Sequence, residues 1–159
     1  MRIIGSLLIL FSSLAIAGRL VSDVEKAKAR ASALRALLEH IKNMIECYSM
    51  PIGQILIRIE PSLLRECGYC EKEAPHDLRC FAKKIEKTDG ADAETLGIFE
   101  AFAKDFGKGY REDELLRCGF FLEKMRAREQ KLCKEYAKKK KVILTVSICS
   151  ALALIVLLI

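Results

Sequence analysis

The residues with the most chemical potential cluster near the middle of the chain. Cys67, Cys70, His76 and Cys80 read C-x2-C-x5-H-x3-C, three thiols and an imidazole, the donor set that a tetrahedral zinc ion accepts. Gly68 allows the tight turn that a C-x2-C pair requires. A zinc knuckle spaces the same ligands C-x2-C-x4-H-x4-C, so the pattern is one residue off, and Cys80-Phe81 reads as helix. Free thiols in a reducing cytoplasm account for these residues without a metal. The expectation is therefore no metal, with these four as the zinc candidates if one binds. Were the segment outside the cell, Cys47, Cys67, Cys70, Cys80, Cys118 and Cys133 would instead make three disulfides.

Nothing else points to catalysis. There are two histidines, His40 and His76, and no tryptophan. No phosphate-binding glycine loop, HExxH pair or GxSxG elbow is present. His40 lies beside an apolar helical stripe, and the carboxylates sit near Lys or Arg along helix faces, as on solvated surfaces. The residues argue for a protein that is not an enzyme, with no cofactor, no small-molecule substrate and no nucleic-acid ligand.

Charge distribution defines the organisation. Of 159 residues, 52% are hydrophobic and 30% charged, figures that coexist only if the apolar residues are concentrated. All 21 acidic residues and 26 of the 27 basic ones lie between Arg19 and Lys141. Val142–Ile159 carries no charge, Pro or Gly over 18 residues and reaches about 27 Å as a helix, enough to cross a bilayer core. Residues 1–21 read as a second, shorter transmembrane segment if Arg19 extends its head group to water. The competing reading is a signal peptide with Ala15-Ile16-Ala17 as its cleavage site. Basic residues flank the intervening loop at both ends, Arg19, Lys26, Lys28 and Arg30 on one side and Lys138, Lys139, Lys140 and Lys141 on the other. That bias places the 22–141 domain on the cytoplasmic side.

The domain reads as all-α. Residues 27, 31, 34, 38, 41, 45 and 48 keep one helical face apolar, which predicts a helix from about Ser22 to Ser49, stopped near Pro51. Residues 115, 118, 122, 125, 129, 132 and 136 repeat the pattern with one break at Glu129. Glu123–Arg126 and Glu135–Lys139 are expected pairs on that surface. Nothing interrupts helix between Glu112 and Ile159. Two long helices of similar reach, each rooted in the membrane, can pair antiparallel. Residues 51–107 then supply a cap of short helices around Ile52–Ile59, Leu63-Leu64, Leu78–Ile85 and Leu96–Phe106, the last ended by Gly107 and Gly109.

With these elements in place, Leu34–Leu56 and Phe99–Ile159 resemble the stage III sporulation protein AB family of endospore-forming bacteria. Ile45 followed by Pro51-Ile52 resembles the family's E-I-x-Y-x-x-x-P-L. Phe102-Ala103-Lys104-Asp105-Phe106-Gly107 with Arg111 resembles F-G-x-x-L-G-x-x-D-R-x-x-Q. A basic helix running into a terminal apolar segment completes the likeness. Met44, Cys47, Ala103, Tyr110 and Glu114 depart from the pattern, and the Cys67–Cys80 stretch has no counterpart in it. The resemblance implies a soluble bundle similar to the platform protein F of type II secretion and pilus machines. It implies a non-enzymatic membrane scaffold of a secretion-like channel complex, on the mother-cell side in the outer forespore membrane. The implied partners are the companion sporulation ATPase and the other membrane components; membrane lipid is expected from the basic flanks themselves. Phe106, Gly107 and Arg111, where the pattern is densest, are the candidate partner-facing edge. Two other readings stand beside it. One is an extracytoplasmic disulfide-bonded protein with a cleaved signal peptide and a C-terminal anchor. The other is a tethered zinc module touching nucleic acid.

Overall fold

Two proline-free stretches make the frame. α1 runs Arg2–Tyr48 and α6 runs Arg111–Leu158, each about 70 Å long at helical rise. The computed structural model describes residues 2–48, 52–71, 73–86, 88, 90 and 92–158. The side chains of 2–11, 13, 14, 16, 17, 20, 52, 53, 151, 154, 155, 157 and 158 are outside that description. Among the described residues every regular element is helical: α2 (Ile52–Arg58), α3 (Pro61–Glu66), α4 (Leu78–Glu86) and α5 (Ala93–Asp105) complete the set.

The sequence periodicity predicted a first helix beginning near Ser22; the structure continues it back to Arg2 with no break. Leu34, Leu37, Leu38, Ile41 and Ile45 of α1 are buried in one cluster with Cys118, Leu122 and Met125 of α6 and the cap, and Ala31 and Leu132 are buried as well. Each fully buried Leu or Ile contributes roughly 1.5–3 kcal/mol. The α1–α6 contact is the most extensive in the protein. Its polar contacts run in opposite sequence order along the two helices. Arg111 reaches Ile45, Arg126 reaches Glu39 at 2.9 Å, and Arg35 reaches Glu129 at 2.7 Å. The break at Glu129 in the apolar stripe is thus filled by a salt bridge. Arg126 serves α1 rather than Glu123, and Tyr48 lies exposed beyond the end of the buried stripe.

The cap is built around a run of rings. Tyr69 stacks on Phe81 at 5.3 Å, Phe81 meets Phe99 edge-on at 5.6 Å, and Phe102 meets Phe121 of α6 at 5.6 Å. Pro61 opens α3 at a position where its missing N–H is no loss. Gly68 closes it: the Gly68 N–H bonds to Arg65 O at 2.8 Å and the Tyr69 N–H to Leu64 O at 2.9 Å, the paired bonds of a Schellman turn. Gly68 has φ +92°, and the Arg30 guanidinium, bound to Thr88 O at 2.8 Å, lies over it.

Among the described residues no helix is long and apolar enough to cross a membrane. Much of the two expected spans, 1–21 and 142–159, lies outside the described side chains.

Two glycines should respond oppositely to one methyl group. Gly68→Ala puts a Cβ at positive φ and 2.5 Å from Arg30 Nη2, and should lower stability by about 1–2 kcal/mol. Gly97→Ala, inside α5 with nothing within 4 Å of the new Cβ, should raise it by about 0.5–1 kcal/mol. Urea unfolding of the full chain in detergent, followed by circular dichroism, reads both.

Candidate functional site

The end of the bundle far from the uncharged helical stretches is where α1 stops, α5 turns and α6 begins. α5 ends at Asp105, the Phe106 N–H closes on Phe102 O at 3.0 Å, and Gly107 follows at φ +87°. The next turn is organised by a carboxylate. Glu114 is buried, and its Oε1 accepts the Gly109 N–H at 3.0 Å, the Lys108 N–H at 3.2 Å and a guanidinium N–H of Arg117 at 3.0 Å. Arg117 also donates to the Asp105 carbonyl. A charged acceptor for backbone N–H groups at a helix start is favoured by both the hydrogen bonds and the helix dipole.

The three residues proposed from sequence as a partner-facing edge have different roles here. Phe106 is buried, with its ring 4.7 Å from Phe102. Gly107 is exposed and supplies the turn. Arg111 is exposed but engaged: its Nε donates to Ile45 O at 3.1 Å and its Nη2 to Glu46 O at 2.6 Å. Those carbonyls belong to the last turn of α1, where intrahelical donors run out. The edge is therefore first a joint that holds the end of α1 to the start of α6.

The outward-facing groups lie beside it. Tyr110 is 86% exposed, Leu116 75% and Phe120 56%. Leu115, Leu116, Gly119 and Phe120 line an open groove of about 730 Å³, with Lys42 of α1 and Glu112 and Glu123 of α6 supplying its charge. Phe120 touches Phe121 edge-on at 5.3 Å and carries the Lys124 ammonium at 4.4 Å over its ring. The sequence reading missed this groove. Its signal was present as an apolar i, i+4 pair, Leu116 and Phe120, lying off the stripe that packs on α1.

The cysteine cluster is not drawn together as a ligand set. Cys67 is buried in the Schellman turn, and burial pushes its thiol up to about 12. Cys70, His76 and Cys80 are exposed. Among the described residues no three His, Cys, Asp or Glu side chains are placed to hold a metal ion. Cys118 is also buried, its thiol raised to about 12 by desolvation, and none of the described cysteines is paired. His40 keeps a buried Nε2 with no partner among the described residues.

One ionic network ties α5 to α6. Asp92 caps α5, accepting the Thr95 N–H at 3.0 Å, and takes two bonds from Arg128 at 2.9 and 3.0 Å. Burial alone would raise the Asp92 carboxyl; the Thr95 hydroxyl and N–H and the Arg128 guanidinium outweigh it and hold the group below the usual aspartate value. The groove therefore sits on a helix fixed at several points along its length.

Comparison with known proteins gives one assignment: residues 2–159 match the family described as stage III sporulation protein AB. No curated protein and no solved structure matches the chain.

Because the folded carboxyl of Asp92 lies below its unfolded value, its contribution is complete above about pH 4 and is lost as pH falls through the folded value. Asp92→Asn, which keeps a cap but not the charge, should cost about 1–2 kcal/mol near neutrality. The gap from wild type should shrink as unfolding is repeated from about pH 5 down to about pH 2.

Proposed function

Since the chain belongs to the stage III sporulation protein AB family, we propose that it is a non-enzymatic membrane platform of a secretion-like channel complex for spore formation. In this reading residues 1–21 and 142–159 are membrane anchors and the 22–141 bundle faces the cytoplasm on the mother-cell side. The two long helices form an antiparallel arm that carries the cap and docks the companion ATPase. The other membrane components assemble around the anchors.

The observation that carries the reading is the exposed apolar groove at the distal end. Glu123 is about 28 Å along the helix from Val142, where charge disappears from the sequence. A partner seated on Leu116 and Phe120 would therefore stand clear of a bilayer surface. Apolar anchors ringed by charge are the usual anatomy of a protein docking site. The joint beneath it, made by Arg111 and Glu114, fixes the groove relative to both long helices.

Two measurements test this. With the full chain reconstituted and titrated with the companion ATPase, Phe120→Lys should weaken binding at least about tenfold, as loss of a central aromatic anchor does. Binding that survives Phe120→Lys and Leu116→Lys together would remove the groove from the mechanism. Orientation is read from native thiols with a membrane-impermeant maleimide on wall-stripped cells. Cys47, Cys70 and Cys80, all exposed, should stay unlabelled until lysis and then react without reductant. Cys67 and Cys118, buried and raised to about 12, should react only after denaturation. Labelling of intact cells would place the bundle outside and sink ATPase docking.

A further inference from the structure

The positive charge of this protein is not spread over its surface. Residues 19–30 of α1 and 131–141 of α6 together hold 10 basic and 3 acidic residues, whereas the rest of the chain holds 17 basic and 18 acidic. The whole net excess of +6 thus belongs to two short stretches, and the bundle beyond them is close to neutral. The structure brings the two stretches side by side. Lys28 of α1 and Lys140 of α6 both lie against the ring of Tyr136, at 5.8 and 5.7 Å from its centroid, so one aromatic face system holds an ammonium from each helix.

Among the described residues little neutralises this charge. Arg30 is turned to Thr88 O, Lys131 reaches Glu94 at 3.7 Å, and Lys26 is 3.9 Å from Asp23. Glu25 and Glu135, the remaining carboxylates of the two stretches, make no ion pair among the described residues. The same holds for Lys28, Lys134 and Lys138 to Lys141, all but Lys28 exposed. Gathering like charges on paired helices is unfavourable unless an anion meets them. The neighbouring surface says which anion. Directly beyond Lys141, α6 presents Val142 and Val146, each 60% exposed, with no charge to the end of the chain. A polyanion such as RNA has nothing to match a bare apolar helix; a lipid supplies both an anionic head and an apolar tail.

We infer that the facing basic stretches of α1 and α6 form a collar that binds the phosphate headgroups of anionic phospholipid, with Tyr136, Lys28 and Lys140 at its centre. The inference rests on the membrane-anchored reading and adds to it a preference among lipids.

The test uses the full chain in mixed micelles containing equal phosphatidylglycerol and phosphatidylcholine, with bound lipid counted by native mass spectrometry. Wild type should carry phosphatidylglycerol at least about fivefold over phosphatidylcholine, a preference of the size one lysine at an anionic surface gives. Lys28→Gln with Lys140→Gln, and separately Gln at positions 138, 139, 140 and 141, should bring the ratio toward one. Lys28→Arg with Lys140→Arg should keep it. Gln at Lys83 and Lys104, basic residues of the cap, should leave it unchanged. A wild-type ratio near one overturns the inference, as does loss of the lipid to millimolar inorganic phosphate or to an oligonucleotide. Carbonate extraction of vesicles separates the two levels. A chain that stays with the bilayer but shows no lipid preference sinks the collar alone, and a chain released to the supernatant sinks the anchored reading with it.

Discussion

The fold depends on holding two long helices in one register although they are joined only through 62 intervening residues. Apolar burial is non-directional and rewards buried area rather than particular partners. The polar contacts supply what the apolar face lacks. Glu39 accepts from Arg35 and Arg126, and Arg35 also reaches Glu129, so one half-buried cluster spans both helices. The Arg126 bond, ahead of the burial that opposes it and the Arg35 bond that assists, holds the Glu39 carboxyl below its ordinary range. At the distal end Arg111 grips the last carbonyls of α1. Partly exposed pairs of this kind add little raw stability, but each names one partner on the facing helix.

The cap is secured to that frame by aromatic packing. Rings from the α3–α4 connection, α4, α5 and α6 touch in sequence, from Tyr69 through Phe81, Phe99 and Phe102 to Phe121 and Phe120. Edge-on and offset ring contacts add to burial without admitting water. Phe120, at the outer end, is both a member of this series and a wall of the groove. The groove is thus continuous with the core and not a loose surface feature.

The long helices and the cap were legible because apolar residues at 3- and 4-residue spacing, punctuated by Pro51, Pro61, Gly107 and Gly109, leave few alternatives. Family membership was legible from the pattern around Phe102–Arg111. The details of the site were not. Glu114 reads from sequence as one more solvated carboxylate, and only the fold shows it buried beneath the turn it organises. Arg111 acts on Ile45, a residue 66 positions away, which no local pattern encodes. Cys67 stood among the zinc candidates because a C-x2-C pair readily supplies two of the four ligands, although free thiols were the expectation. In the fold it is a buried apolar residue inside a helix-ending turn.

The continuity of α6 has a mechanical meaning. Sharp bends in helices occur at Pro, at Gly or where the hydrogen-bond ladder is interrupted. Between Phe120 and Val142 the sequence contains neither Pro nor Gly, and the helix is unbroken. That segment is a stiff strut about 33 Å long, braced by α1 on one side. A push or twist delivered at the distal groove therefore arrives at the other end as motion of the whole rod, not as slack taken up along the way.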